Sequence, residues 1–177
     1  MDAEQRARYR RRVTRAGNDR KEKPKEGEKL IVRNKRASFD FELGERFEAG
    51  IVLIGSEVKV LRAGGADLTD AWCAIEQGEA FLKGANIPEL SGALFGHAAK
   101  RARKLLLHKE EIEEIQRAIG RGGMTVVATR LYFKDGRAKA EIALAKGKKA
   151  VDKRETLKAK EAEREARAAI TRGRRGG

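Results

Sequence analysis

The first 29 residues, MDAEQRARYRRRVTRAGNDRKEKPKEGEK, carry almost no large apolar side chains, and a hydrophobic pattern begins only near Leu30. In ASFDFEL, Phe39, Phe41 and Leu43 alternate with polar residues, the period of a half-buried strand. EAGIVLIG then supplies Ile51, Val52, Leu53 and Ile54 as a fully buried strand bracketed by glycines. GSEVKVLRAG predicts a short helix capped by Ser56, with Val58 and Leu61 on one face and Gly64-Gly65 as its stop. AWCAIEQGEAFLKGANI reads as a hairpin turning at Gln77-Gly78. LLLHKEEIEEIQRAIG places Leu105, Ile112, Ile115 and Ile119 at helical spacing before Gly120 and Gly122-Gly123. A second hairpin, MTVVATRLYFKDGRAKAEIALA, turns at Asp135-Gly136, and Ala140, Ile142 and Leu144 alternate after it.

Two hairpins, two further strands and short helices give about six strands between residues 30 and 145. The predicted fold is therefore mainly β, a small closed β-barrel, because these helices are too few to cover an open sheet. Residues 1–29 are expected to be a disordered basic arm, since they bury too little apolar surface to offset ordering entropy. Beyond Ala145 a tail spans 146–177, and Asp152 with Glu155 opens a run of Ala, Glu, Lys and Arg reaching Ile170. Glu163 and Arg167 stand at the supportive helical spacing, but the apolar side is mostly alanine. Such a tail is disordered alone and becomes helical on a polyanion.

Charge sharpens this division. The chain of 177 residues has 41 Lys and Arg against 27 Asp and Glu, a formal charge of +14. Residues 1–29 carry net +5, residues 146–177 net +7 and the segment between them only +2. A nearly neutral globular domain thus lies between two basic arms, which points to a polyanionic partner. The longest apolar stretch, residues 49–55, is too short to span a bilayer, and no apolar segment follows the basic start, so a cytoplasmic location is expected.

Enzymatic chemistry finds no support. One cysteine, Cys73, excludes an internal disulfide and any multi-cysteine zinc site; it lies mid-strand, where a buried structural thiol is expected. His97 sits in a glycine-flanked loop and His108 at a helix start, where a cap or surface role is expected rather than catalysis. Gly147-Lys148 lacks the earlier glycine and the following hydroxyl of a phosphate loop. Glu110-Glu111 and Glu113-Glu114 read as the solvated face of a helix. No catalytic residue, metal or cofactor is expected.

Three basic clusters exceed the usual scatter: Asn34-Lys35-Arg36, then Lys100, Arg101, Arg103 and Lys104, then Lys146, Lys148, Lys149, Lys153 and Arg154. Guanidiniums grip phosphates in pairs and ammoniums act as point charges, a mixture suited to a folded RNA surface. With only 5% aromatic residues a stacking platform for single strands is disfavoured, and Trp72 and Phe81 are expected in the core.

Residues 30–158 closely resemble the SsrA-binding (SmpB) family, on the strength of EAGIVLIGSEVK, RKLLLHK and ALAKGKK in order and with normal spacing. That resemblance implies an oligonucleotide-binding-type (OB-fold-like) β-barrel. It implies a bacterial protein that binds the tRNA-like domain of transfer-messenger RNA. The family carries that RNA to ribosomes stalled on broken messages, where its tail enters the small subunit's decoding centre and empty message channel. Alanyl-tRNA synthetase and elongation factor Tu are implied partners through the RNA. Carried over by motif, the RNA surface includes Asn34, Arg36, Glu48, Lys59, Arg101, Arg103 and Lys104. The ribosome-facing tail root is Lys146, Gly147, Lys148, Lys149, Asp152, Lys153 and Arg154. For Glu48 two roles stand open, a base-edge acceptor or an internal partner for Arg36 or Arg46. The chain departs from the family pattern at Val151, where many relatives carry an aromatic or imidazole ring. Two alternatives, a purely electrostatic RNA- or ribosome-binding module and an RNA-processing enzyme, make different predictions for substitution and turnover.

Overall fold

The computed structural model describes residues 27–89 and 96–148, together with Glu161 and Glu165. Seven antiparallel strands form one sheet: β1 (Glu28–Arg33), β2 (Phe41–Ile51), β3 (Trp72–Glu76), β4 (Glu79–Lys83), β5 (Arg103–Leu106), β6 (Met124–Lys134) and β7 (Arg137–Gly147). Three helices interrupt them: α1 (Ala37–Asp40), α2 (Gly55–Arg62) and α3 (Lys109–Gly120). The order is β1-β6-β3-β4-β5-β2-β7, and β7 also pairs with β6, so six strands close into a ring with β1 against the outer half of β6. Among the described residues closure leaves β1 as the edge strand, which is how a mainly β chain with little helix limits exposed unpaired backbone. The mainly β, closed architecture predicted above is present.

Both hairpins fall where their turn residues place them. Gln77-Gly78 and Asp135-Gly136 all have positive φ, the paired left-handed conformation that matches the twist of the flanking strands. The β6–β7 pair is the longest ladder, running from Met124↔Lys146 to Lys134↔Arg137 with one bulge between Ala128 and Arg130. Inside the ring, Ala49, Leu82, Leu105, Val126, Ala128, Ala140 and Ile142 form the core, and Ile115 of α3 enters it fully buried. Ala37 of α1 covers the opposite face of β6 and β7, packing with Val127 and Ala145. Residues 140–145 of β7 are therefore buried on both faces, a stretch without the alternation of a half-buried strand.

The structure corrects several expectations. Strand β1 begins at Glu28, two residues before Leu30, where Glu28 and Lys29 pair with Lys134 and Phe133 of β6. The two strands expected at 39–43 and 51–54 are one continuous strand, β2, preceded by helix α1. A bulge between Leu43 and Arg46 breaks the alternation that suggested a boundary. Val52 and Ile54 are exposed rather than buried. Leu105 belongs to β5, so α3 starts at Lys109, four residues later than its apolar spacing suggests. Helix α2 begins after Ile54, whose N–H donates to Glu57 Oε2 at 2.9 Å, rather than at a Ser56 cap. Trp72 is not core: it opens β3 on the outer face, 44% exposed, with Lys83 Nζ 5.8 Å from its ring centre. Disorder of residues 1–26 and most of the tail prediction lie outside the described residues; Glu161 and Glu165 are helical and exposed.

Candidate nucleic-acid interface

Strand register builds the site. Leu106 on β5 stands opposite Gly50 on β2, Gly50 opposite Lys139 on β7, and Lys139 opposite Tyr132 on β6, which faces Leu30 on β1. Neighbouring residues Leu105, Ala49, Ala140 and Leu131 are all buried in the ring, so this row lies on the outside. Gly50 forms its low point: a Cβ there would sit 3.3 Å from Leu106 Cβ. Leu106 is 56% exposed beside that dip.

Glu48, two residues before Gly50 on the same face, anchors the cationic part. It accepts from the Tyr132 hydroxyl at 2.6 Å and from Lys134 Nζ at 3.2 Å, with Lys139 Nζ 3.6 Å away. Glu48 thus has internal partners, but they are Tyr132, Lys134 and Lys139, not Arg36 or Arg46. Burial alone would raise its carboxyl, yet the Tyr132 and Lys134 hydrogen bonds and the two ammoniums hold it below the ordinary range. Burial and the neighbouring Glu48 charge push the Tyr132 phenol up, so it stays protonated as donor. Glu48, Lys134, Asp135, Arg137 and Lys139 line an open depression of about 350 Å³. Sequence reasoning missed Lys134, Lys139 and Leu106, whose signal is only their register against Glu48 and Gly50. Lys104 lies on the same outer side of β5, paired with Glu79.

A second cluster joins α2 to the segment entering β5. Glu57 is completely buried and accepts Arg101 Nε at 2.8 Å, Arg101 Nη2 at 2.6 Å and Arg103 Nε at 2.8 Å. Desolvation would raise its carboxyl, but the two guanidiniums and the Ile54 N–H together hold it below the ordinary range. Arg103, expected on the RNA-facing surface, is wholly buried instead. Its Nη1 donates to the carbonyls of Ala85 and Arg101 and its Nη2 to that of Ala99. Burial lowers its pKa, opposed by Glu57. Arg101 keeps 30% of its side chain exposed. Lys59, exposed on α2, makes no ion pair among the described residues.

Asn34 is likewise internal, at 8% exposure. Its amide donates to Leu68 O and Ala128 O at 2.6 and 3.1 Å, and its oxygen accepts the N–H groups of Arg36 and Ala37. That exhausts its hydrogen-bonding capacity and starts α1, so contact with RNA through this amide would require breaking the start of the helix. Arg36 is 63% exposed and paired with Asp40. The tail root docks here: Lys148 N donates to Asp40 O and Lys148 Nζ to Ser38 O, both at 3.0 Å. Lys146 and Gly147 are exposed at the end of β7. Lys149, Asp152, Lys153, Arg154 and Val151 lie outside the described residues.

The residues weighed for catalysis are structural. Cys73 is buried, and desolvation pushes its thiol up to about 12. His97 is buried between Ser56 Oγ at 2.9 Å and Ile87 O at 3.1 Å. The carbonyl requires a proton on Nε2, leaving Nδ1 to meet the serine hydroxyl. His108 starts α3, its N–H donating to Glu111. Among the described residues no group of three or more His, Cys, Asp and Glu is placed to hold a metal, and no helix is long and apolar enough to cross a membrane.

Comparison with known proteins agrees on one family. The family model described as SmpB protein matches residues 31–172. The SsrA-binding protein of Sorangium cellulosum is 64% identical over 156 residues, covering 88% of this chain and 96% of the relative. The SsrA-binding protein of a Nocardioides species is 53% identical over 148 residues, covering 83% and 93%. A chain of the solved structure described as "tmRNA-SmpB: a journey to the center of the bacterial ribosome" superposes with a TM-score of 0.58 at 42% identity, covering 67% of this chain and 85% of that one. With the family model matched over most of the chain and relatives this similar, the chain belongs to the SmpB protein family.

Proposed function

We propose that this protein binds the tRNA-like domain of transfer-messenger RNA and delivers it to stalled bacterial ribosomes for trans-translation. The observation that carries this reading is the outer-face row, in which Lys139, Lys134 and Leu106 surround Glu48 and Gly50. Cations meet phosphates there, an exposed leucine offers an apolar contact to a sugar or base, and the tyrosine-held carboxylate fixes the array. A sheet curved around a filled core presents one rigid surface, which suits readout of RNA shape. Family membership and the ribosome-bound structural relative support the same partner.

On this reading Arg36, Lys59, Arg101 and Lys104 add phosphate contacts, while Asn34 and Arg103 act by holding the backbone behind them. Lys146 to Arg154 face the ribosome, and residues 1–29 and 146–177 carry most of the chain's net positive charge. The protein works in the cytoplasm and catalyses nothing itself. Alanyl-tRNA synthetase and elongation factor Tu meet it through the RNA.

A pair of double variants tests the division of labour. Lys134→Glu with Lys139→Glu is expected to lose tRNA-like-domain binding and peptide tagging together. Lys146→Glu with Lys149→Glu is expected to keep RNA binding and lose tagging. Loss of RNA binding in the second variant, or its retention in the first, contradicts the reading.

A further inference from the structure

We infer that Glu57, a buried acidic residue, is a positioning residue for RNA recognition: it aims Arg101 at a phosphate. The inference rests on the reading of Arg101 as an RNA contact. The geometry is a side-on grip, with both Glu57 oxygens on the Nε and Nη2 edge of Arg101 at 2.8 and 2.6 Å. Such a two-point hold fixes the guanidinium plane as well as its distance. One Nη1 proton is held by Ala102 O at 3.2 Å. One proton on each of Nη1 and Nη2 has no partner among the described residues, and these are donors that a phosphate can accept.

Arg103 completes the device from behind. It shares Glu57 Oε1 and clamps the carbonyls of Ala85, Ala99 and Arg101, so the backbone carrying Arg101 is held as firmly as its side chain. Two guanidiniums on one carboxylate leave one positive charge in excess, and the only exposed member is Arg101. A free arginine would lose side-chain entropy on meeting RNA; here it is already ordered before binding.

The sign of one substitution separates positioning from charge. Glu57→Gln raises the net charge by one, so electrostatics alone predicts tighter RNA binding. Positioning predicts binding of the tRNA-like domain weakened about fivefold, against about tenfold for Arg101→Ala. It also predicts no added loss when Glu57→Gln is placed in the Arg101→Ala background. If Glu57→Gln fails to fold, Arg101→Lys serves: it keeps the charge and the Glu57–Arg103 pair but loses the planar fork, and is expected to bind nearly as poorly as Arg101→Ala. Unchanged or tighter binding in Glu57→Gln, equal losses in both backgrounds, or wild-type binding in Arg101→Lys overturns the inference alone. Wild-type binding in Arg101→Ala overturns it together with the assignment of Arg101 as an RNA contact.

Discussion

The Tyr132 hydroxyl reaches over the intervening strand β7 and donates to Glu48 Oε2 at 2.6 Å, tying β6 to β2 on the outer face of the ring. Tyr132 is itself 1% exposed, so its ring belongs to the fold and its hydroxyl to the site. Tyr132→Phe removes one hydrogen bond to a charged acceptor and is expected to cost about 1–2 kcal/mol in urea denaturation. The Glu48 carboxyl should rise toward its ordinary value in the same variant, followed by side-chain NMR titration.

Glu48 and Glu57 also set an acid limit. Their folded-state carboxyls both lie below the ordinary range, so their stabilisation is complete above the unfolded value of about 4.3 and disappears as pH falls through the lowered folded values. Denaturation midpoints should therefore fall on acidification below about pH 4.5, and Glu48→Gln should flatten part of that slope.

Glu45 behaves in the opposite sense. Burial raises its carboxyl, and the charge of Glu114 on α3 raises it further. A raised carboxyl contributes stability below its unfolded value that is lost as pH rises through the folded one. Glu45→Gln should therefore raise the melting temperature near neutral pH and leave it unchanged near pH 3, as read by thermal denaturation across that range.

Arg103→Ala would strand a fully buried Glu57 with Arg101 as its only cationic partner and free three carbonyls. Breaking a buried pair costs about 3–5 kcal/mol, so this variant is expected to lose more stability than any single substitution on the exposed cationic row. Lys139→Ala, by contrast, should change stability by less than about 1 kcal/mol while weakening RNA binding.

How much of this was legible depended on sequence separation. The Gln77-Gly78 and Asp135-Gly136 hairpins were readable because the turn residues and both strands are contiguous. Strand β1 was not: Glu28 and Lys29 resemble the charged arm before them, yet the Glu28 side chain is 3% exposed against Arg130. The three basic clusters and Glu48 were visible, but their division into exposed and internal members was not. Arg101 and Arg103 look equivalent in RARK, and both bind Glu57, but Arg103 opens β5 wholly buried while Arg101, in the segment before the strand, keeps part of its side chain exposed. Lys139 became part of the site only through its register against Gly50.

The central claim is specific recognition of the tRNA-like domain, and a paired titration addresses it most directly. The full chain is titrated with that domain and with an unrelated RNA hairpin of equal length over a series of salt concentrations. Tighter binding of the tRNA-like domain at every salt, with Lys134→Glu and Lys139→Glu abolishing the difference between the two RNAs, is the predicted result. Equal affinities for both RNAs, falling together with salt, would contradict it and leave an electrostatic RNA-binding module in its place.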